Sequence, residues 1–120
     1  MSSAPEALRE RTKSFAVRVV RLYRALPTAN DAQVLGKQLL QSGISVAANY
    51  RAACRARSRQ EFASRIGVVV EEADESVFWL EMLEETGVFQ HERLCGLLDE
   101  AHQLTAIFTT AYETAKQRRN

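Results

Sequence analysis

The sequence predicts an all-α fold, an antiparallel four-helix bundle running up-down-up-down. Three observations carry this. Only two prolines and five glycines interrupt 120 residues. Apolar residues recur every three or four positions, the period of a helix, rather than every two. They do so in four blocks joined by short breaks, the arrangement that places consecutive helices antiparallel around one core. At 46% hydrophobic and 26% charged, residues 1–120 fit a single domain with a modest core, free of internal repeats and low-complexity tracts.

The first block, about residues 4–26, opens on "SAPE", where Ser3 can cap and Glu6 can reach back, and it ends at Pro27. Leu8, Phe15, Ala16, Val19, Leu22, Tyr23 and Leu26 fall on one face about 120° wide when each residue turns the helix by about 100°. The second block, about 30–56, carries Leu35, Leu39, Ser42, Val46, Asn49, Tyr50 and Ala53 on one stripe. Beside it runs a file of small residues, Gly36, Gly43, Ala47 and Cys54, which lets another backbone come close, so two sides of this helix are expected to be covered. The third block, about 59–86, begins at "SRQE", a capping box of Ser58 and Glu61, and stops before Gly87. Its core stripe is Phe62, Ile66, Val69, Ala73, Val77 and Leu80. The fourth, about 92–117, turns Leu94, Leu97, Leu98, Ala101, Leu104, Phe108, Tyr112 and Ala115 inward.

Some apolar residues fall on the wrong side of these wheels. Val17 and Val20 lie opposite the first core stripe, Ile44 opposite the second, and Phe78 and Met82 opposite the third. A monomer would leave them in water, and five on three helices read as a surface for self-association.

Charge is as segregated as hydrophobicity. Residues 1–65 carry twelve Lys/Arg against four Asp/Glu, residues 66–115 carry one against eleven, and the last five residues add three positives. In an up-down bundle the start of the first helix, the corner between the second and third, and the end of the fourth share one pole. That pole collects Arg9, Arg11, Lys13, Arg51, Arg55, Arg57, Arg59, Arg65, Lys116, Arg118 and Arg119 against Glu6, Glu10, Glu61 and Glu113, an excess of seven positive charges. Arg51 and Arg55 can complement the negative end of a helix dipole, and Arg9 can screen Glu6 or Glu10. The cluster as a whole suits phosphate backbones, the more so if several copies gather their poles. The acidic run "EEADE" supplies the opposite surface: Glu71, Asp74 and Glu75 turn outward. Glu72 sits nearer the core edge and is expected to accept from Asn49 or an arginine, forming a polar link between the second and third helices.

Several chemistries lack their residues. A di-metal bundle site needs Glu-x-x-His on two helices, and the chain has none; Asp99 and His102 make one imperfect copy, so no metal and no cofactor is expected. "DEAH" at residues 99–102 copies a helicase label without a phosphate-binding glycine loop. His91 and His102 have no serine or cysteine in a nucleophile arrangement, so an enzyme is not expected. Cys54 and Cys95 match no metal or redox spacing and read as buried free thiols. The N-terminus lacks a signal-like apolar stretch, and no run of about 18 apolar residues occurs, so a soluble intracellular protein is expected.

The strings "QLLQSGISVAAN", "RSRQEF" and "EEADES", in this order between "RTKSFAVRVVRLYRALP" and a closing helix, resemble the 23S rRNA intervening-sequence protein family, the four-helix-bundle proteins encoded within bacterial large-subunit ribosomal RNA genes. The resemblance covers nearly the whole chain. It implies a cytoplasmic bundle that assembles as a ring-like homopentamer, and it implies no agreed biochemical activity. Two functions follow as expectations. One is an oligomeric protein holding RNA or DNA backbones at the basic pole, without base-specific reading because exposed aromatic platforms are few. The other is a scaffold that recruits another protein through its acidic or apolar surfaces.

Overall fold

The computed structural model describes residues 4–117. Four helices follow one another: α1 (Ala4–Arg24), α2 (Asn30–Cys54), α3 (Arg59–Glu85) and α4 (His91–Gln117). They form an elongated bundle, 49 × 30 × 19 Å, in which α2 packs on α1 and α3, and α3 packs on α4. α1 touches α4 along a shorter stretch, while α1 and α3 stand diagonally apart. Phe15, Leu39, Val46, Ile66, Val69, Leu80, Leu104 and Phe108 fill the centre, fully buried, and they come from all four helices.

Local chemistry sets the breaks. The last turn of α1 tightens, Ala25 N–H donating to Leu22 O at 3.0 Å and Leu26 N–H to Tyr23 O at 3.1 Å. Pro27 cannot continue a helix and disfavours helical backbone at the residue before it, so α1 stops two residues short of the expected boundary. The expected Ser3 cap lies outside the described residues. α2 likewise ends at Cys54, because Ser58 must be extended (φ −153°, ψ 163°) to cap α3. Its hydroxyl accepts from Glu61 N–H at 3.0 Å, while the Glu61 carboxylate reaches back one residue further than in the usual reciprocal pair and accepts from Arg57 N–H at 2.8 Å. α3 ends in a left-handed glycine: Gly87 has φ +77°, its N–H donates to Glu84 O at 3.0 Å, and Val88 N–H donates to Leu83 O at 3.0 Å. His91 Nδ1 lies 2.9 Å from Glu84 Oε1 and ties the two sides of this turn.

The file of small residues on α2 does what its size allows. A methyl at Gly36 would run into Leu26, and one at Gly43 would meet the branched carbons of Val19 at 2.9 and 3.0 Å, so α1 lies against the glycine side of α2. The opposite seam of α1 is polar. Arg11 forks onto Glu100, Nε to Oε2 at 2.8 Å and Nη2 to Oε1 at 2.7 Å, and Nη2 also reaches Gln103 Oε1 at 2.7 Å. The Glu100 carboxylate, against the cost of partial burial, raises the Arg11 pKa above its ordinary value.

One expected contact is corrected. Asn49 Nδ2 donates within its own helix, to Ser45 O at 2.9 Å and Ser45 Oγ at 3.0 Å, and not to Glu72. The polar link between α2 and α3 is Ser42 with Ser76, Oγ to Oγ at 3.1 Å, fully buried in the seam. Ser76 also lies 2.9 Å from Glu72 O, and Ser42 donates to Leu39 O at 3.2 Å, so each hydroxyl is satisfied locally as well. No described residue hydrogen-bonds the Glu72 carboxylate. Burial first, and then Glu75 and Glu71, push its pKa up.

Candidate functional site

The N-terminal turns of α1 and α3 and the C-terminal turns of α2 and α4 meet at one end of the bundle, where two adjoining concavities open. The side groove, about 700 Å³, runs between α1 and α2 and is lined by Arg9, Glu10, Lys13, Arg51 and Arg55 over a floor of Ala16, Ile44, Ala47, Ala48 and Cys54. Helical spacing explains the set: Arg9, Lys13 and Ala16 step along one face of α1, and Ile44, Ala47, Arg51 and Cys54 step along one face of α2. The end pocket, about 670 Å³, lies where the helix ends splay. Pro5, Tyr50, Ala53, Phe62, Ala111 and Ala115 give it an apolar lining, and Arg9, Arg57, Ser58 and Arg59 rim it. Arg9 and Cys54 belong to both concavities and form the saddle between them. The Cys54 thiol is only half-buried there and Cys95 is exposed on α4, so both are free thiols but neither is the buried one expected.

Tyr50 stands under the end pocket, its ring 5.0 Å from that of Phe108. Burial, then the neighbouring Cys54 thiol, push the Tyr50 phenol well above its ordinary pKa, so it stays protonated and neutral among the arginines. Among the described residues no carboxylate forms an ion pair with Arg9, Lys13, Arg51, Arg55 or Arg57. That distinguishes them from Arg11, which the sequence also places at this pole but which Glu100 neutralises.

The remaining positive side chains are dispersed. Arg65 lines a shallow depression with Glu61 and Ser64 along α3, outside both concavities. Lys116 lies over the Tyr112 ring, 5.4 Å from its centroid. Arg118 and Arg119 fall outside the described residues.

Among the outward apolar residues, Val17, Ile44 and Phe78 are exposed at 39%, 44% and 50%, whereas Val20 and Met82 are half-buried. The Phe78 ring rests edge-on against Trp79, with centroids 4.8 Å apart. Val34, exposed at 54%, joins this set without having been expected there, although the same wheel that marks Ile44 turns it outward. The end pocket is likewise absent from the expectations, because Tyr50, Ala53, Phe62 and Ala115 of its apolar lining count as core on their own wheels. Among the described residues no group of three or more His, Cys, Asp or Glu side chains is placed to hold a metal ion. None of the described helices is long and apolar enough to cross a membrane.

Residues 7–110 match the family model described as 23S rRNA-intervening sequence protein. The chain belongs to this family. A crystal structure from Bacteroides thetaiotaomicron, described as a protein with unknown function from the S23 ribosomal protein family, superposes with a TM-score of 0.81 at 31% sequence identity, covering 87% of this chain and 96% of that one. Membership therefore rests on sequence and fold together, and both agree with the four helices described above. No functionally curated protein matches the chain.

Proposed function

We propose that this member of the family is an oligomeric, non-catalytic cytoplasmic protein that holds RNA or DNA backbones at its basic pole. The observation that carries the reading is the cluster of Arg9, Arg55, Arg57 and Arg59 around the saddle and rim of the two concavities, with Arg51 and Lys13 continuing it along the side groove. Arg9, Arg51, Arg55 and Arg57, which no carboxylate pairs among the described residues, keep their donors for an external anion, and forked donors match phosphate oxygens. Arg65 and Lys116 add to the field rather than to the contact, and Arg118 and Arg119 add two further positive charges next to Lys116 in the sequence. Readout is by backbone charge, since the aromatic rings at this end are buried, as Tyr50 and Phe108 are, or half-buried, as Phe62 and Tyr112 are, and none stands out as an exposed stacking platform.

Self-association is part of the proposal. Val17, Val20, Ile44, Phe78 and Met82 supply apolar surface for it, and a homopentameric ring, as the family resemblance implies, would bring five basic poles into one assembly.

The test is binding of a labelled single-stranded RNA and a DNA duplex across a salt series. Replacing Arg55, Arg57 and Arg59 together by glutamine is expected to weaken binding and flatten the salt slope by about 0.7–0.9 for each phosphate no longer neutralised. Arg21→Gln with Arg24→Gln, at the far end of α1, is the control and should matter much less. Equal losses would indicate diffuse attraction alone. No binding by the unmodified protein at low salt would remove this reading and leave a scaffold whose partner is another protein.

A further inference from the structure

We infer that the side groove between α1 and α2 receives the acidic outer ridge of α3 from a second copy of this chain, joined head to tail, with Phe78 set against Ile44. The self-association proposed above is its premise, and the identity of the two faces that meet is what is new.

Two surfaces of the subunit complement each other in charge and in apolar content. The groove offers Arg9, Lys13, Arg51 and Arg55 against one carboxylate, Glu10, and Ile44 is exposed on its floor. Val20 continues the line of Lys13 and Ala16 by one further turn of α1. Across the molecule, Glu71, Glu75, Phe78, Met82 and Glu85 follow one another at four, three, four and three residues, a single stripe down the outside of α3. Asp74 and Glu81 flank that stripe, every one of the five carboxylates is exposed, and no positive side chain lies on it between residues 66 and 85. Each surface therefore has an apolar centre bordered by charge, positive on one and negative on the other.

The two surfaces cannot meet within one subunit. α3 stands diagonally across from α1, and its core face is already packed on α2 and α4, so its ridge points away from the groove. A contact of groove with ridge joins two different patches. Every copy then gives a ridge and offers a groove, and such contacts continue until the rotation closes a ring. Like charges opposed across an interface are costly, so a ridge-to-ridge or groove-to-groove pairing is disfavoured by the same side chains. This assignment also divides the basic pole. Lys13 and Arg51 face the neighbouring subunit, while Arg57 and Arg59 remain on the end face.

The experiment is a charge reversal and its rescue, read as mass by light scattering or sedimentation on the full chain at low and moderate salt. Lys13→Glu with Arg51→Glu, and separately Glu71→Arg with Glu75→Arg, should each reduce the assembly toward the 13.5 kDa subunit. The chain carrying all four changes should reassemble, because the reversed faces again complement each other. Loss without rescue would show that these faces do not meet, and unchanged mass in both pairs would remove the groove from the interface. Unchanged mass with weakened RNA binding in the Lys13 and Arg51 pair would give the groove to nucleic acid instead. A monomeric unmodified chain would remove self-association altogether, which separates that failure from failure of the groove assignment. If a reversed chain does not fold by circular dichroism, Ala48→Cys with Glu75→Cys, in a Cys54→Ser and Cys95→Ser background, supplies the reading. A ladder of oxidised multimers supports head-to-tail contact, and a single unlinked band overturns it.

Discussion

Gly43 and Gly36 carry no side chain for the same reason, the closeness of α1, yet they differ in what a methyl group would displace. At Gly43 the new Cβ meets Val19 at 2.9, 3.0 and 3.2 Å from three of its carbons, and a buried β-branched side chain has little rotamer freedom to give way. At Gly36 the obstacle is the terminal methyl of Leu26, which is only half-buried and can swing aside. Gly43→Ala is therefore expected to cost about 1–3 kcal/mol through overpacking, offset by roughly 0.8–1 kcal/mol of helix propensity. Gly36→Ala should come out close to neutral. Urea denaturation of both variants checks the ordering, and equal losses would mean that Val19 moves as freely as Leu26. Glu72 makes a second case. Its pKa is raised by burial, Glu75 and Glu71, so the folded chain holds this proton to a higher pH than the unfolded chain does. Stability then falls as pH rises through the window between the two values. Glu72→Gln should raise the denaturation midpoint at neutral pH, and the gain should vanish below about pH 4, where the carboxyl is protonated in both states. A loss of stability at neutral pH would show that the carboxylate has a partner.

The helices themselves are legible in the sequence because caps and breakers act within a few residues of where they stand. Ser58, Glu61, Pro27 and Gly87 mark three of the boundaries by chemistry that needs no tertiary partner. Pairings between helices are less legible. Arg11 with Glu100 joins the first helix to the last, and nothing on either wheel selects that partner from among other exposed charges. The polar link expected from Asn49 and Glu72 is made by Ser42 and Ser76, because a short hydroxyl fits a close α2–α3 seam and an asparagine can turn back onto Ser45 instead. The basic cluster is legible as a pole, since up-down topology alone brings those segments together. Its division into two concavities is not, because a groove is made by the gap between two helices rather than by either one. Double-mutant cycles test the corrected seam. Ser42→Ala and Ser76→Ala should couple by about 0.5–1 kcal/mol, the scale of one net hydrogen bond, whereas Asn49→Leu and Glu72→Gln should be additive. Coupling in the second cycle and none in the first would restore the Asn49–Glu72 link.

Charge on this subunit is arranged as a gradient, from the arginines at one end to the carboxylates along α3, and a gradient gains force only when copies are held in a fixed relation. One basic pole offers a handful of phosphate contacts. Several poles held together offer a backbone repeated attachment, in which the second contact forms at high effective concentration. Phe78 separates these contributions, since it is exposed on the outside of α3 and lies far along that helix from the arginine corner. Phe78→Asp removes an apolar anchor and places a further negative charge in an already acidic stripe, so it leaves the core of the subunit intact. The helical circular dichroism spectrum should persist while the mass falls toward 13.5 kDa. Binding of a single-stranded RNA of about 30 nucleotides should then weaken on the order of 100-fold or more, as multivalent attachment disappears. The salt dependence carries the finer information: its slope should shrink to the number of phosphates one pole can reach, at about 0.7 per phosphate on a single strand. A dissociated variant that kept both affinity and slope would mean that each pole acts alone, and that the ring serves something other than retention of nucleic acid.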